Sequence, residues 1–354
     1  NNTWTLVPVP KDRKPLSNKV VFKTKYNADG TIAKRKARLV VKGYSQKKGI
    51  DYDEVFFFFF HHETIRTLLA VSAARKWFIH QMDVKTAFLN PILKEEIYMA
   101  VPEGMNNKGE NGELLVCKLN KSLYGLKQAS KCWNDLLHQW MVDFGFNRCY
   151  SDPCLYILKG RKSQEQSIYV AVWVDDLIIA CKNQEKLHDF KKSIARKFKM
   201  TDLGSIQHCL GMRICYNLNN QVISIDQEKY IEDLLEKFSM HNCKPVATPL
   251  IPNSTVNKEE PDISLDQHDV TKFQELIGGL MYLVTCTRPD IAAAVGQLAR
   301  VMSQPSKLHW SAAKHVLRYL KGTKGLSLTY GNARDEEREN LIGFSEYWRR
   351  FCNS

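Results

Sequence analysis

No apolar run in this chain approaches the ~18 residues a membrane-spanning helix needs, and the best candidate, Ile168 to Cys181, is interrupted by two adjacent acids. A helical membrane span is therefore not expected. None of the 10 cysteines stands at C-x2-C spacing, and no apolar secretory leader opens the chain. Zinc is not indicated, and reduced thiols in a cytosolic or nuclear setting are expected instead. Acids are scarce relative to bases: 38 Asp and Glu stand against 51 Lys and Arg, a formal net charge of +13. Such an imbalance points to a polyanionic partner. The first residue is not Met, which suggests a fragment or a processed piece.

What is present suits a globular protein. The chain has 354 residues, 44% of them hydrophobic and 25% charged, enough for two or three subdomains. The charge is unevenly spread: residues 1 to 50 hold 13 Lys or Arg against only Asp12 and Asp29. Within this block the cations alternate with strand-forming residues, in Val20 to Tyr26 and again in Lys36 to Lys42, with Asn27-Ala28-Asp29-Gly30 as a turn between them. The pattern reads as a basic two-stranded hairpin that can hold its charges against phosphates. A plain solvated face is the alternative.

Ile168 to Cys181 reads as a second hairpin, two β-branched apolar runs joined by Asp175 and Asp176 with no Gly, Asn or Pro at the bend. Asp is a common turn residue because its side chain bonds the local backbone. Two carboxylates on a rigid hairpin are equally half of a divalent-metal site. A third acid would separate the readings, and Asp83, at the end of the strand-like Phe78 to Asp83, is the candidate. Asp83 could instead cap a short helix.

Three segments carry a family resemblance: His80 to Met99 (HQMDVKTAFLNPILKEEIYM), Lys121 to Trp133 (KSLYGLKQASKCW) and Val172 to Ile179 (VWVDDLII). Together with Thr3 to Pro8, Lys36 to Val40, and Asp202-Leu203-Gly204 followed by Leu210-Gly211, they resemble in order and spacing the reverse transcriptase of copia-type LTR retrotransposons, over about residues 1 to 330. The resemblance implies an α+β right-hand polymerase with fingers, palm and thumb over 1–247, a linker over 248–269, a helical connection segment over 270–330, and the start of an RNase H region over 331–354, its first acid near Glu346. It implies RNA-directed DNA polymerase activity, joining a dNTP to a primer 3′-hydroxyl. Asp83, Asp175 and Asp176 would be the catalytic metal ligands, holding two Mg²⁺ ions, or Mn²⁺ in their place. Phe88 would lie under the nucleotide sugar, Gly125 and Gln128 would let the backbone approach nucleotide and template, and Lys36 and Arg38 would hold the triphosphate. Phe88 could also be a core residue, and the two cations merely solvated. The implied partners are an RNA/DNA template-primer duplex, dNTP, and other Pol or Gag segments, with no membrane. The implied location is cytoplasmic, in a virus-like particle, or nuclear.

Elsewhere the periodicity predicts helices over Glu63 to Lys76, Gln184 to Met200, Asp226 to Phe238, Lys272 to Val284, Arg288 to Met302 and Ser306 to Lys321. A strand pair is expected at Cys209 to Tyr216 and Val222 to Ile225, and a turn at Asp202 to Gly204. The run Phe56 to Phe60 and Pro91 depart from the family pattern, which favours a second reading: a nucleic-acid-binding remnant of a decayed Pol copy without catalysis. A two-metal nuclease is a third. His61 and His62, adjacent and so divergent, are not expected to hold a metal. The ending Gly343 to Arg350 suggests a Pol fragment lacking RNase H, integrase and protease.

Overall fold

The computed structural model describes residues 2–26, 31–55, 62–160, 167–250 and 264–331. The expected turn at Asn27–Gly30, the run Phe56–Phe60 with His61, most of the expected linker, and Gly343–Arg350 lie outside the described residues. The described residues fall into two compact units, one within 1–61 and 80–204 and one within 62–79 and 205–348.

In the first unit the basic block forms β2 (Asn18–Tyr26) and β3 (Ile32–Val41), paired antiparallel with Lys23 opposite Lys36 and Val21 opposite Arg38. Directly opposed residues share a face of the ribbon, so Lys19, Lys23, Lys34, Lys36 and Arg38 stand on one face. The other carries Val20, Phe22, Ala37 and Leu39 together with Thr24 and Arg35. A three-stranded sheet of β1 (Trp4–Pro8), β6 (Leu115–Leu119) and β5 (Tyr98–Ala100) lies over a core that includes Leu16, Val41, Met99, Leu123 and Leu126.

A six-stranded sheet follows the order β11 (Met200–Ser205), β4 (Phe78–Val84), β10 (Asp176–Cys181), β9 (Ile168–Trp173), β8 (Leu155–Leu158), β7 (Asn147–Arg148). The apolar runs of β9 and β10 are buried along nearly their whole length, on both faces, which explains why they lack polar alternation. Helices α2 (Ala129–Phe144) and α3 (Gln184–Lys197) belong to the same unit. Buried Ala129, Trp133, Leu137 and Met141 recur every fourth residue along α2. Gly145, at φ 105°, caps its end. Asn183 caps α3, its side chain accepting from the Lys186 N–H at 2.9 Å. Trp133 meets Phe198 edge-on at 5.2 Å, and Trp140 meets Phe190 at 6.1 Å, so aromatic rings tie the two helices together.

Asp202 to Gly204 lies within β11 rather than forming a turn, and the helix expected to reach Met200 stops at Lys197. Asp202 is held by Lys191 at 2.6 Å, and Lys191 also reaches His80 Nδ1 at 2.9 Å. This buried ammonium fastens α3 to β4 and β11 through side chains that carry no strand signal.

The second unit contains α1 (His62–Arg75), a four-stranded sheet of β12 (His208–Cys209), β13 (Met212–Asn217), β14 (Val222–Asp226) and β15 (Leu328–Tyr330), and α4 (Glu228–Lys237). Helices α5 (Gln267–Cys286), α6 (Ala292–Ala299) and α7 (Lys307–Gly322) complete it. The first of these begins inside the expected linker, where Asp266 caps it by accepting from the Asp269 N–H at 2.8 Å. Leu276, Ile277, Leu280, Leu298, Leu317 and Leu320 are among the residues of its core. Arg288, 1% exposed, forks onto Asp290 and reaches Thr323 just past the end of α7. Among the described residues no helix is long and apolar enough to cross a membrane.

Candidate active site

The loop between β9 and β10 is two residues long, because Trp173 and Asp176 are the last directly opposed pair. Asp175 therefore sits in the turn and Asp176 opens the strand. Val174, the other loop residue, has φ 53°, a conformation that a β-branched side chain rarely adopts. The carbonyl of Asp175 accepts from the Val84 N–H at 2.7 Å. That bond sets the turn beside the end of β4, one residue from Asp83. Asp83 lies inside β4, and the following 3₁₀ turn, Ala87–Leu89, is preceded by Thr86, so Asp83 is not a helix cap.

Electrostatics place the two acids in one neighbourhood. The Tyr124 phenol is pushed above its ordinary range first by burial and then by the Asp175 charge; Asp83 adds to the rise, while the Arg38 guanidinium, also hydrogen-bonded to it, opposes it. A hydroxyl whose charge state responds to both carboxylates and that bonds an arginine lies in the same neighbourhood as all three. Arg38 also stacks over the Tyr124 ring, 5.5 Å from its centre, and Phe88 meets that ring edge-on at 5.0 Å. Asp83, Asp175, Arg38 and Phe88 thus share one site, with Tyr124 as its hub.

Asp176 is differently engaged, its Oδ1 accepting from Gln81 Nε2 at 3.0 Å. Among the described residues no three Asp, Glu, His or Cys side chains form a group that could hold a metal ion. Asp83 and Asp175 are the acids that the neighbourhood of Tyr124 brings together, and Asp176 is braced by the buried amide of β4. Lys36 stands two residues before Arg38 on the same ribbon face.

Gly125 and Gln128 face protein. At φ 95°, Gly125 is pressed on the end of β3, where an added Cβ would stand 2.0 Å from the Val41 carbonyl oxygen. The Val41 N–H in turn donates to the Tyr124 carbonyl at 2.8 Å. Gln128, 1% exposed, accepts from Gln46 Nε2 at 3.0 Å and donates to the Asp51 carbonyl at 2.8 Å. Its amide is hydrogen-bonded to the framework at both ends. Phe88 is half-buried, packing on the core around Leu123 and Leu126 while presenting its ring to Tyr124. The residues that sequence reasoning passed over are Tyr124, Gln81 and Trp133. Gln81 carried a signal, standing two residues before Asp83 on the same strand face.

Strand-end carboxylates on adjacent strands of an α+β sheet, with a cationic hairpin in the same unit, are the arrangement expected of a right-hand polymerase. Residues 1–252 match the family model described as reverse transcriptase (RNA-dependent DNA polymerase). A retrovirus-related Pol polyprotein from transposon TNT 1-94 of Nicotiana tabacum is 43% identical, covering 94% of this chain and 25% of its own length. A putative transposon Ty5-1 protein of Saccharomyces cerevisiae is 33% identical over 70% of this chain and 78% of its own length. A solved foamy viral protease-reverse transcriptase in complex with double-stranded DNA is similar at 12% identity and a TM-score of 0.47, over 90% of this chain and 45% of that one. The chain belongs to the reverse transcriptase family, in the branch carried by copia-type transposon Pol polyproteins. It spans about a quarter of the length of the first curated polyproteins that it matches, 25% and 22%.

Proposed function

We propose that this chain catalyses RNA-directed DNA synthesis, extending a primer on an RNA template within a longer Pol polyprotein. The observation that carries the reading is the Val84 to Asp175 backbone bond, which sets the two acid-bearing strand ends side by side, with Arg38 stacked on Tyr124, whose phenol responds to both acids. In this reading β2 and β3 belong to the fingers, the six-stranded sheet to the palm, α4 to the thumb and α5 to α7 to the connection.

The donor set fits a hard divalent cation, since carboxylate oxygens completed by water and substrate phosphates are what Mg²⁺ prefers. Asp83 and Asp175 would hold two Mg²⁺ ions, or Mn²⁺ in their place, with Asp176 adjacent. Such ions stabilise the entering and leaving oxygens of an in-line displacement at phosphorus. The bond formed joins the primer 3′-oxygen to the α-phosphorus of the dNTP, and the bond broken releases pyrophosphate. Arg38 orients the triphosphate with a forked guanidinium, Lys36 supplies charge beside it, and Phe88 with Tyr124 forms an apolar wall beneath the sugar. The cations of the β2–β3 ribbon suit a template-primer backbone. The same reading puts the reaction in a cytoplasmic particle or the nucleus, with other Gag and Pol segments as partners, in keeping with nine free cysteines among the described residues.

A primer-extension assay on poly(rA)/oligo(dT) with Mg²⁺ tests the proposal. Asp175→Asn should lower incorporation by roughly 10³-fold while leaving duplex binding nearly unchanged. Folded wild-type protein that binds duplex but adds no nucleotide would refute the enzyme reading. That outcome would favour the second reading, a non-catalytic nucleic-acid binder, for which the engagement of Asp176 with Gln81 speaks.

A further inference from the structure

The peptide planes on both sides of Asp175 are each held by an N–H from a different element. The carbonyl of Asp175, which sets the plane after it, accepts from Val84 on β4 at 2.7 Å. The carbonyl of Val174, which sets the plane before it, accepts from the indole Nε1–H of Trp133 on α2 at 2.6 Å. With both planes fixed, the Cα–Cβ direction of Asp175 is fixed as well.

The second of these bonds bears on a strained residue. A two-residue hairpin loop with positive φ at its first position ordinarily places glycine there. Here the position is Val174, at φ 53°, whose branched Cβ disfavours the left-handed region. Nothing intrinsic to valine keeps that conformation, so the surroundings must over-determine it. Relieving the strain requires φ of Val174 to change, which a closed two-residue loop cannot do without displacing the Val174 carbonyl, and the Trp133 N–H opposes that displacement. Trp133 is well suited to the task. Its side chain is fully buried, the Phe198 ring meets it edge-on at 5.2 Å, and the buried stripe of Ala129, Leu137 and Met141 seats the helix that carries it. An indole offers one donor and no acceptor.

We propose that Trp133 is a positioning residue: its indole N–H clamps the strained Val174 carbonyl and so aims the Asp175 carboxylate. The inference rests on Asp175 serving as a metal ligand in nucleotidyl transfer, but its test does not depend on activity alone. Trp133→Phe keeps a buried ring and removes the donor. Val174→Gly makes positive φ comfortable and so reduces the need for the clamp.

Hydrogen exchange read over residues 168–181 should quicken about tenfold in Trp133→Phe, as expected for local loosening, while residues 184–197 stay at the wild-type rate. The double variant Trp133→Phe/Val174→Gly should return exchange toward wild type. In primer extension, Trp133→Phe should lower kcat about tenfold, in keeping with a small misplacement of a reacting group. KM for dNTP and duplex affinity should stay within about twofold, and Val174→Gly should restore most of the lost kcat. A merely structural loss would weaken binding and stability together and would not be rescued by a glycine 41 residues away in sequence. Unchanged exchange and kcat in Trp133→Phe, or a double variant no better than the single one, overturns the proposal. If the wild type adds no nucleotide, the functional reading fails and the exchange data still decide the clamp. If Trp133→Phe does not fold, the wild-type indole N–H should exchange about 10³-fold more slowly than a free indole, and exchange at the free rate overturns the clamp.

Discussion

Gly125→Ala is expected to destabilise the first unit severely, and the structure supplies the reasons. The residue has φ 95°, where a side chain is disfavoured, and its added Cβ would lie 2.0 Å from the Val41 carbonyl oxygen and 2.8 Å from Val40 Cγ1. Leaving the right-handed and extended regions costs about 1–2 kcal/mol for a residue with a Cβ. Relieving the clash requires more than an ångström of backbone movement, which breaks the Val41 N–H to Tyr124 carbonyl bond, worth about 1 kcal/mol. It also displaces Val41, Leu123 and Leu126 from their common core, and disturbing a well-packed core by overfilling costs about 1–3 kcal/mol. The total is on the order of 4 kcal/mol. Gly43→Ala meets the same segment from the other side, its Cβ 2.0 Å from the Gly125 carbonyl oxygen, but without the positive φ. It should cost about 2–3 kcal/mol, and the double variant less than the sum, since one displacement opens room for both. Urea unfolding followed by tryptophan fluorescence reads these changes as shifts in midpoint at constant slope. A Gly125→Ala protein within about 1 kcal/mol of wild type would refute the reasoning, because it would mean that the two backbones are not in contact.

His80 is held below its ordinary range of 6.5, first by burial and then by the Lys191 charge, with Asp202 opposing. Its folded value is depressed, so the unfolded chain takes up the proton first as pH falls; the stability His80 contributes is complete above about pH 6.5 and is lost below it, toward the folded value. Urea midpoints between about pH 7 and 5 should therefore fall less steeply in His80→Gln than in wild type, and identical slopes would exclude the Lys191 contact as drawn. Lys23 and Lys36 are opposed on the cationic face of the β2–β3 ribbon. Replacing both with Ala should weaken duplex binding uniformly across sequences and flatten its log–log salt dependence by about 2, close to ~0.9 per lost phosphate contact. An unchanged salt slope would place the duplex on another surface.

The parts of the fold legible in the sequence are those whose signal is local. The β2–β3 ribbon, the β9–β10 hairpin, α1, α3 and α4 announce themselves through alternation or a 3.6-residue stripe. What was not legible depends on distant partners. β1 is a strand because it pairs with β6, Trp4 opposite Leu119, more than a hundred residues away. Met200 to Ser205 carries turn chemistry, with Gly204 at φ 73°, yet it lies beside β4 at the edge of the sheet. β15 is drawn into a sheet by β14 from across the helical segment. The acids follow the same rule: Asp83 and Asp175 could be found because each ends a run with its own strand signal, whereas the Gln81 to Asp176 bond and the Trp133 clamp join residues 95 and 41 apart.

Gly125 and Gln128 show how a motif singled out in the sequence is also engaged by the protein's own backbone and side chains. Two G-x-x-Q segments face one another, Gly43 to Gln46 and Gly125 to Gln128. Each glycine gives way to a backbone carbonyl of the other strand of chain, and the glutamines bond at 3.0 Å, with the Lys127 N–H reaching Gln46 Oε1 at 2.8 Å. The backbone approach that tolerates no Cβ, which the sequence suggested at Gly125, is present against the Val41 carbonyl. The consequence for the site is indirect and strong. One segment follows directly on β3, the strand of Lys36 and Arg38, and the other leads into α2, the helix of Trp133. A clasp at this point ties the base of the cationic ribbon to the element that braces Asp175. The groups proposed to meet the triphosphate and those proposed to hold the metal are thereby carried on one rigid frame, whose loosening would disturb both without removing any residue that touches a ligand.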